Sequence, residues 1–486
     1  MILPEPREFD AALRVIDDLR TAGYEAYLAG GCVRDLLLGR EPKDFDVATS
    51  ATPDVVLQMF PRTFAVGAHF GVVLVVSTCG AADSAFEGTR GAMENEPDHI
   101  VTEVATFRSD GVYSDGRHPD AVRYTLSAEE DVRRRDFTIN GLLLDAIDRF
   151  PTGRKPGFFE DLNLRGAACT LRHAIIDHVG GLADLDRGVI RAIGEPSQRF
   201  EEDHLRMLRA VRFAARFGFE IESATFASIR ALARKTTVVS RERVRDELTK
   251  MLTEGNARRA FELLDETGLL EEVLPEIARM KGVEQPPLYH PEGDVWIHTL
   301  GLLGQLEAGC PLTVAWGALL HDVGKPPTFR VADRIRFDGH VEVGVAIGAE
   351  ICRRFRFSND ETSQILSLIE NHMRFADARR MKTSTLKRFF RLESFEQHLA
   401  LHRMDCLAGS GNLENWKFAR EQYETIPQEV VRPKPLITGR ELIASGYAPG
   451  AHFKQMLRAV EDAQLEGQIH TSDEALALIQ RDFPRM

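Results

Sequence analysis

LAGGCVRDLLLGREPKDFDVATS, residues 28 to 50, decides the fold. An apolar run from Tyr27 to Ala29 ends at Gly30 and Gly31, a helical pattern follows from Val33 to Leu38, and Asp44 and Asp46 then stand two residues apart. On a strand, residues two apart point the same way, so both carboxylates face one point while Phe45 turns to the other side. Such a pair can hold two Mg²⁺ roughly 4 Å apart for in-line phosphoryl transfer. The Gly30-Gly31 turn offers bare backbone N–H groups to a triphosphate at the start of the helix. A DxD alone is a common solvated strand end, so its surroundings decide whether this one does chemistry.

Around it, residues 1 to 150 mix short β-branched or aromatic runs (63–66, 72–77, 99–107) with helical patterns (9–22, 53–60), the sign of an α/β domain. Residues 80 to 98 are Gly-rich, polar and acidic and read as a surface insertion without chemistry. From about 182 to 274 the apolar spacing is helical and no strand is expected. Pro-rich breaks at 285–291 and 432–435 bound a further helical region and a short helical tail. The expected architecture is an α+β multidomain chain. A catalytic head with a mixed sheet and helices (1–150) precedes an all-α neck and body for base recognition and RNA binding (151–285). An all-α domain (286–430) and a helical tail (431–486) complete it.

With 486 residues, 43% of them apolar, the chain can bury several cores. No run approaches the roughly 20 apolar residues of a membrane helix, and MILPEPREFD lacks the basic then apolar layout of a signal peptide, so a cytoplasmic protein without a membrane partner is expected. Six scattered cysteines without a CxxC suggest neither disulfides nor zinc. The net charge of −13 is uneven. Residues 1 to 150 carry 15 Lys+Arg against 26 Asp+Glu, whereas 199 to 259 carry 14 against 9. Metal ions would offset the first excess, and a phosphate backbone could lie along the second.

Glu103, in the alternating stretch HIVTEVATFR, can reach the Asp44 and Asp46 face from the next strand and supply a third carboxylate. The loop SDGVYSDGRHPDAV (109–122) has the composition of a segment that closes on substrate. In RRRDFTIN (133–140), Asp136 suits a ribose 2′-OH, and Arg135 and Asn140 suit a triphosphate. EEDHLRMLRAVRFAARFGF (201–219) is helical in pattern, with Asp203 and Arg206 on one face as an acceptor beside a donor. Cytosine and adenine present an amino donor beside a ring-nitrogen acceptor, and uracil and guanine the reverse. One Asp/Arg pair would accept the first two and reject the others through unmet hydrogen bonds. Arg209 and Arg212 extend the same side toward phosphates.

Together GGCVRDLLLGREPKDFDVATS, HIVTEVATFR, RRDFTIN, FEDLNLRGAA, DLDRGVIRAIGEP and EDHLRMLRAVRFAARFGF resemble the class II tRNA nucleotidyltransferase and poly(A) polymerase family, in family order over roughly residues 24 to 275. The resemblance implies Mg²⁺ on the DxD pair and a protein template in the EDxxR helix for CTP and ATP. It also implies nucleotide contacts from Gly31, Arg34, Arg135, Asp203, Arg206, Arg209 and Arg212. Ala68 and His69 stand where poly(A) polymerases tend to carry two basic residues, and the DGxYxDxRxP loop (Asp110, Tyr113, Asp115, Arg117, Pro119) resembles that of enzymes able to switch from C to A. Both favour CCA addition to tRNA 3′ ends over poly(A) synthesis or partial addition.

Residues 290 to 405 resemble an HD domain. His298, His321, Asp322, His340, His372 and Asp405 follow the order of metal-dependent phosphohydrolases, and imidazoles with carboxylates suit a divalent transition metal. Such a site would hydrolyse phosphoesters, although an HD fold can also persist as scaffold. Two rivals remain open at this point, an HD phosphodiesterase or phosphatase with an RNA-binding front half, and a purely RNA-binding module. No protein partner is implied, and a homodimer is left open.

Overall fold

The computed structural model describes residues 6–65, 71–78, 99–111, 122–146, 171–287 and 290–484. The insertion at 80–98, the FEDLNLRGAA stretch, and Ala68, His69, Tyr113, Asp115, Arg117 and Pro119 lie outside the described residues. Contacts divide the chain into two units, Met1–Val239 with Glu266–Glu272, and Ser240–Asp265 with Val273–Met486.

In the first unit, a seven-stranded sheet comprises β1 (Ala26–Ala29), β2 (Val47–Thr49), β3 (Thr63–Phe64), β4 (Val72–Thr78), β5 (His99–Thr106), β8 (Leu142–Leu144) and β9 (Ile175–Asp177). Its strand order is β3-β4-β5-β2-β1-β8-β9, and β6 (Arg108–Asp110) and β7 (Val122–Tyr124) form a separate antiparallel ladder. Within the sheet, β2 and β5 pair in parallel and the other described pairs are antiparallel, which makes it mixed. Helix Pro6–Thr21 lays Phe9, Ala12, Leu13, Ile16 and Leu19, all buried, toward β1, β2 and β5. These positions recur at helical spacing and so form one apolar stripe. A second cluster joins Ala29, Ala48, Phe107, Val132 and Leu143.

Three local expectations change. Of the run at 63–66, the described residues are strand at Thr63–Phe64 and not at 65. The stretch expected to be wholly helical contains β10 (Val189–Ile190) and β11 (Glu220–Ile221), paired in parallel. Two residues are too few to show alternation, so the sequence carries no signal for them. The helix expected at 201–219 is two helices, Pro196–Glu202 and Leu205–Phe217. They break at Asp203, whose backbone is extended and whose Oδ1 accepts the Leu205 N–H at 3.1 Å. An Asp that bonds backbone two residues on competes with the helical ladder.

The second unit is mainly helical, with a small hairpin of β12 (Arg330–Val331) and β13 (Ile335–Arg336). Trp316 is fully buried, 5.8 Å from Phe355 and 5.1 Å from Phe357 between ring centroids, and its indole N–H donates to Thr249 Oγ1. Phe375, Phe389 and Phe395 anchor a second cluster, and Leu442, Tyr447, Met456, Val460 and Ile479 a third. Gly324 is required by close approach, since a Cβ there would lie 2.0 Å from the His340 carbonyl oxygen. Among the described residues, no helix is long and apolar enough to cross a membrane.

Candidate active site and a histidine-carboxylate cluster

Asp44 and Asp46 lie in the extended chain that leads into β2, which begins at Val47. The alternation continues through them. Phe45 is buried with its ring 5.3 Å from that of Phe9, Asp44 is exposed and Asp46 is half-buried. The β2–β5 register, Val47 opposite Val104, sets Glu103 beside Asp46 on the same face. That face opens on a cavity of about 270 Å³ whose lining includes Asp46, Ala48, Glu103, Ala105, Arg134 and Arg135. The alanines leave the room, and the arginines bring positive charge to carboxylates. Burial, then Asp44 and Glu103, push the Asp46 carboxyl up to about 7 against the pull of Arg135. Crowded carboxylates of this kind suit a hard divalent cation, which takes oxygen ligands and would relieve their repulsion. Their oxygens are not drawn into a tight triad as those of the histidine cluster below are.

A buried polar chain runs beside the cavity. Gly30 has φ +76°, and a Cβ there would lie 2.8 Å from Arg135 Nη1, so the turn before helix Gly31–Leu37 needs glycine. Arg34 is buried with its guanidinium 5.1 Å and 4.7 Å from the Phe213 and Phe217 rings. It donates to Asp35 and to Asn140 Oδ1, while Asn140 Nδ2 donates to Asp136 Oδ1 at 2.9 Å. The Phe137 N–H also reaches Asp136 Oδ1, and Arg209 Nε donates to Asp136 Oδ2 at 2.9 Å. Burial alone would raise the Asp136 carboxyl, but Arg209, Asn140 and Arg206 outweigh it and hold it near 2. Asp136 is thus a clamp with both oxygens engaged, and a ribose hydroxyl would share them.

Arg135 pairs with Asp131 at 3.0 Å. Arg206 Nη1 donates to Glu202 and to the Arg199 carbonyl, and Nη2 donates to the Arg134 carbonyl at 3.2 Å. The acceptor-donor pair expected on one helix face is therefore split, with Asp203 at the break and Arg206 in the following helix, tied back to the 134–136 turn. Arg212 is buried and stacks 4.2 Å from the Phe213 ring centroid. Gly30, Gly31, Arg34, Arg135, Asp136, Asn140, Arg206 and Arg209 are brought together by this network. Glu202 and the Phe213-Phe217 pair are partners that the sequence did not single out.

In the second unit, His298 comes from helix Val295–Leu303, His321 and Asp322 follow helix Leu312–Leu320, His340 opens helix His340–Arg354, His372 follows helix Asn359–Asn371, and Asp405 lies in helix Phe395–Ala408. Asp322 is the hub. Its Oδ1 lies 3.9 Å from His340 Nε2 and 3.7 Å from His372 Nε2, and its Oδ2 lies 3.9 Å from His298 Nε2 and 3.2 Å from His321 Nε2. His298 Nε2 stands 3.1 Å from Asp405 Oδ1. Two triads result, His298-His321-Asp405 and Asp322-His340-His372, each drawn within 4.8 Å. The buried Nε2 atoms of His321, His340 and His372 and Asp322 Oδ1 make no well-directed hydrogen bond among the described residues. Ligands held about 2.1 Å from a metal are necessarily about 3 to 4 Å from one another, so these spacings fit cations between them.

The electrostatics differ along the set: without a cation His372 is ready to ligate, whereas His298 must first release a proton. Burial holds His372 at about 4, hence neutral, as a ligand must be. Burial lowers His298, but Asp405 and Glu292 outweigh it and push it to about 9. Asp322 is held well below the usual carboxylate range because the neighbouring His321 and Lys325 side chains overcome burial. Lys325 reaches both Asp322 Oδ2 at 2.7 Å and Gln285 Oε1 at 2.6 Å. The sequence reading missed His290 and Glu292, which also meet His298.

Comparison with known proteins agrees with this arrangement. Residues 26–191 match the poly A polymerase head domain, 218–281 a probable RNA and SrmB-binding site of polymerase A, and 343–479 a putative tRNA nucleotidyltransferase domain 2. The last match is not to a domain named HD, so the HD reading rests on the cluster's geometry. The CCA-adding enzyme of Lactobacillus johnsonii is 39% identical over 268 residues, 55% of this chain and 56% of that enzyme. That of Geobacillus thermodenitrificans is 40% identical over 261 residues, 54% of each. The matched stretch thus spans about half the length of these curated relatives. The crystal structure of the Bacillus stearothermophilus CCA-adding enzyme in complex with CTP covers 98% of both chains, with a TM-score of 0.67 and 25% identity. The chain belongs to the class II CCA-adding enzyme and poly(A) polymerase family. Membership implies use of divalent metal ions.

Proposed function

We propose that the chain is a cytoplasmic, template-independent RNA nucleotidyltransferase that adds CCA, from CTP and ATP, to tRNA 3′ ends. The observation that carries this is the carboxylate face of β2 and β5 opening on a cavity rimmed by Arg134 and Arg135, beside the clamp joining Arg34 to Arg209. Asp44, Asp46 and Glu103 would hold Mg²⁺, which supplies activation of the RNA 3′-OH and charge neutralisation at the α-phosphate. The Gly30-Gly31 turn and Arg34 orient the triphosphate, and Arg135, Asn140, Arg209 and Arg212 balance its charge. Asp136 fixes Arg209 and Asn140 in place and presents its oxygens to the ribose. Asp203 and Arg206 choose the base. The head would span 1–150 together with β9, which completes its sheet, and the rest of 151–285 would serve base recognition and RNA binding. The CCA-adding relatives, one of them solved with CTP, and the absence of paired basic residues at Ala68 and His69 support CCA addition over poly(A) synthesis.

The test supplies purified protein and Mg²⁺ with tRNA transcripts ending before CCA, after C and after CC, with CTP and ATP separately and together. Growth by CCA followed by a stop is expected, and long A tails would overturn the reading in favour of a poly(A) polymerase. Asp44→Ala should abolish incorporation. Arg206→Ala should relax discrimination against UTP, and unchanged discrimination would remove the templating role.

A second reading is favoured by the cluster around Asp322. His298, His321, Asp322, His340, His372 and Asp405 would hold divalent transition metals and hydrolyse a phosphoester in an HD-type centre spanning 286–430, with 431–486 as a tail. The proposed chemistry is attack by a metal-activated water. Release of phosphate from phosphoester substrates with Mn²⁺ or Ni²⁺, lost in Asp322→Asn, is the expected result. Equal release by Asp322→Asn would refute it.

A further inference from the structure

Three of the four histidines around Asp322 are oriented in the same way. His321 Nδ1 meets the Ala318 carbonyl at 2.9 Å, His340 Nδ1 the Phe337 carbonyl at 2.9 Å, and His372 Nδ1 the Ile369 carbonyl at 2.7 Å. Each acceptor is the backbone three residues earlier, at the start or end of a helix, where carbonyls and turns are available. Each ring therefore carries its proton on Nδ1 and turns Nε2 toward Asp322. Backbone fixes these three tautomers whatever the neighbouring side chains are.

His298 has no such option. It sits inside helix Val295–Leu303, its N–H donates to the Asp294 carbonyl, and the Val295 carbonyl three residues earlier already accepts from Thr299 Oγ1. Its Nδ1 is held instead by a side chain, Glu292 Oε1, at 2.7 Å. His290 Nδ1 lies 2.9 Å from the same oxygen, and its ring stands edge-on to that of His298 at 4.8 Å. His298 is completely buried and Glu292 partly so, at 15% side-chain exposure. Asp294 caps the helix by accepting the Ile297 N–H, which fixes where the chain carrying Glu292 enters.

We propose that Glu292, braced by His290, is the positioning residue that holds His298 as a metal ligand, so that metal affinity of the cluster depends on a carboxylate outside the ligand set. The inference rests on the metal reading given above. A carboxylate behind a ligating imidazole fixes its tautomer and raises its basicity, and loss of such a partner typically costs about 10- to 100-fold in metal affinity. The alternative, in which Glu292 and His290 are themselves ligands, would place the ion on the Nδ1 side of His298, away from Asp322 and Asp405.

The test measures Co²⁺ binding to the full chain, by equilibrium dialysis and by the visible absorption of the bound ion, for wild type, Glu292→Ala, Glu292→Gln, His290→Ala and Asp322→Asn. Glu292→Ala should bind about 10- to 100-fold more weakly. Glu292→Gln, which keeps an acceptor but not the charge, should recover most of that loss, and His290→Ala should lose less than Glu292→Ala. A melting temperature near that of wild type without metal shows that Glu292→Ala is folded. If it is not folded, Glu292→Gln carries the test, and its affinity must still fall below wild type. Wild-type affinity in a folded Glu292→Ala, with binding lost in Asp322→Asn, overturns the positioning role alone. Wild-type affinity in Asp322→Asn overturns the metal centre itself.

Discussion

Asp136→Asn tests the clamp that joins the head sheet to helix Leu205–Phe217. Asparagine keeps Oδ1 as an acceptor for the Phe137 N–H but removes the charge facing Arg209, whose Nε and Nη2 lie 2.9 and 2.8 Å from Oδ2. A carboxyl held near 2, against an ordinary 3.8, prefers its charged form in the folded chain by about 2 kcal/mol. Because the folded value is depressed, this stabilisation is fully present above pH 3.8 and is lost as pH falls toward 2. At pH 7 the substitution should therefore cost about 2 kcal/mol, roughly a 30-fold change in an opening equilibrium. All three tryptophans, at 296, 316 and 416, belong to the second unit, so fluorescence would report the wrong part of the chain. Hydrogen exchange read on peptides from 128–146 and 205–217 reports the right one. The expected result is exchange about 30-fold faster in both peptides, with the same ratio at pH 7 and pH 5 after correction for intrinsic rates. A change under about 3-fold, or one confined to 128–146, would refute the clamp.

At pH 8, Mg²⁺ should raise the thermal midpoint of the wild type, since an ion that binds only the folded state stabilises it by about 2.7 kcal/mol at 100 times its Kd. Asp46→Asn should show little of this response, and an equal response would count against Asp46 as a ligand. Gly324→Ala should lower the melting temperature, because its Cβ would meet the His340 carbonyl at 2.0 Å and Gly344 N at 2.6 Å, both backbone. Overpacking of this kind costs about 1 to 3 kcal/mol, and an unchanged midpoint would show that the loop relaxes freely. Cys32, behind the Gly30-Gly31 turn, is buried, and burial with Asp46 nearby pushes its thiol to about 12. It should resist iodoacetamide at pH 8 in the folded chain and react in denaturant, as mass spectrometry of its peptide would show.

The sequence carried most of the head because its signals are local. Alternation around Phe45, the paired glycines and the valine-rich strands each speak within a few residues, and the sheet is built from them. What it could not carry are features set by single side chains or distant partners. Asp203 looked helical because apolar spacing continues from Phe200 through Leu205 and Leu208, all buried, while the carboxylate that breaks the helix leaves no mark on that period. Arg34 looked like a nucleotide contact only, yet it is packed against Phe213 and Phe217, about 180 residues later in the chain. His290 and Glu292 sit in a loop with no period, and their one sequence cue is a His and a Glu just before the Asp294 cap of a helix already suspected of carrying a ligand.

The two units handle buried charge in opposite ways, and this bears on what each can hold. In the head, burial and then the neighbouring Asp44 and Glu103 push Asp46 up to about 7, and the site favours a hard cation with oxygen ligands. In the second unit, imidazoles surround Asp322 and depress it, while burial keeps His372 neutral. That mixture of nitrogen and oxygen donors favours a transition metal. Lys325 at 2.7 Å from Asp322 supplies positive charge of its own, so a metal entering there must displace or share that contact, whereas Asp46 has only the more distant pull of Arg135 against two carboxylates. On the proposed reading, Mg²⁺ supplied alone would fill the oxygen-lined head site and leave the nitrogen-rich cluster around Asp322 to a transition metal, whereas a transition metal in excess would compete for both.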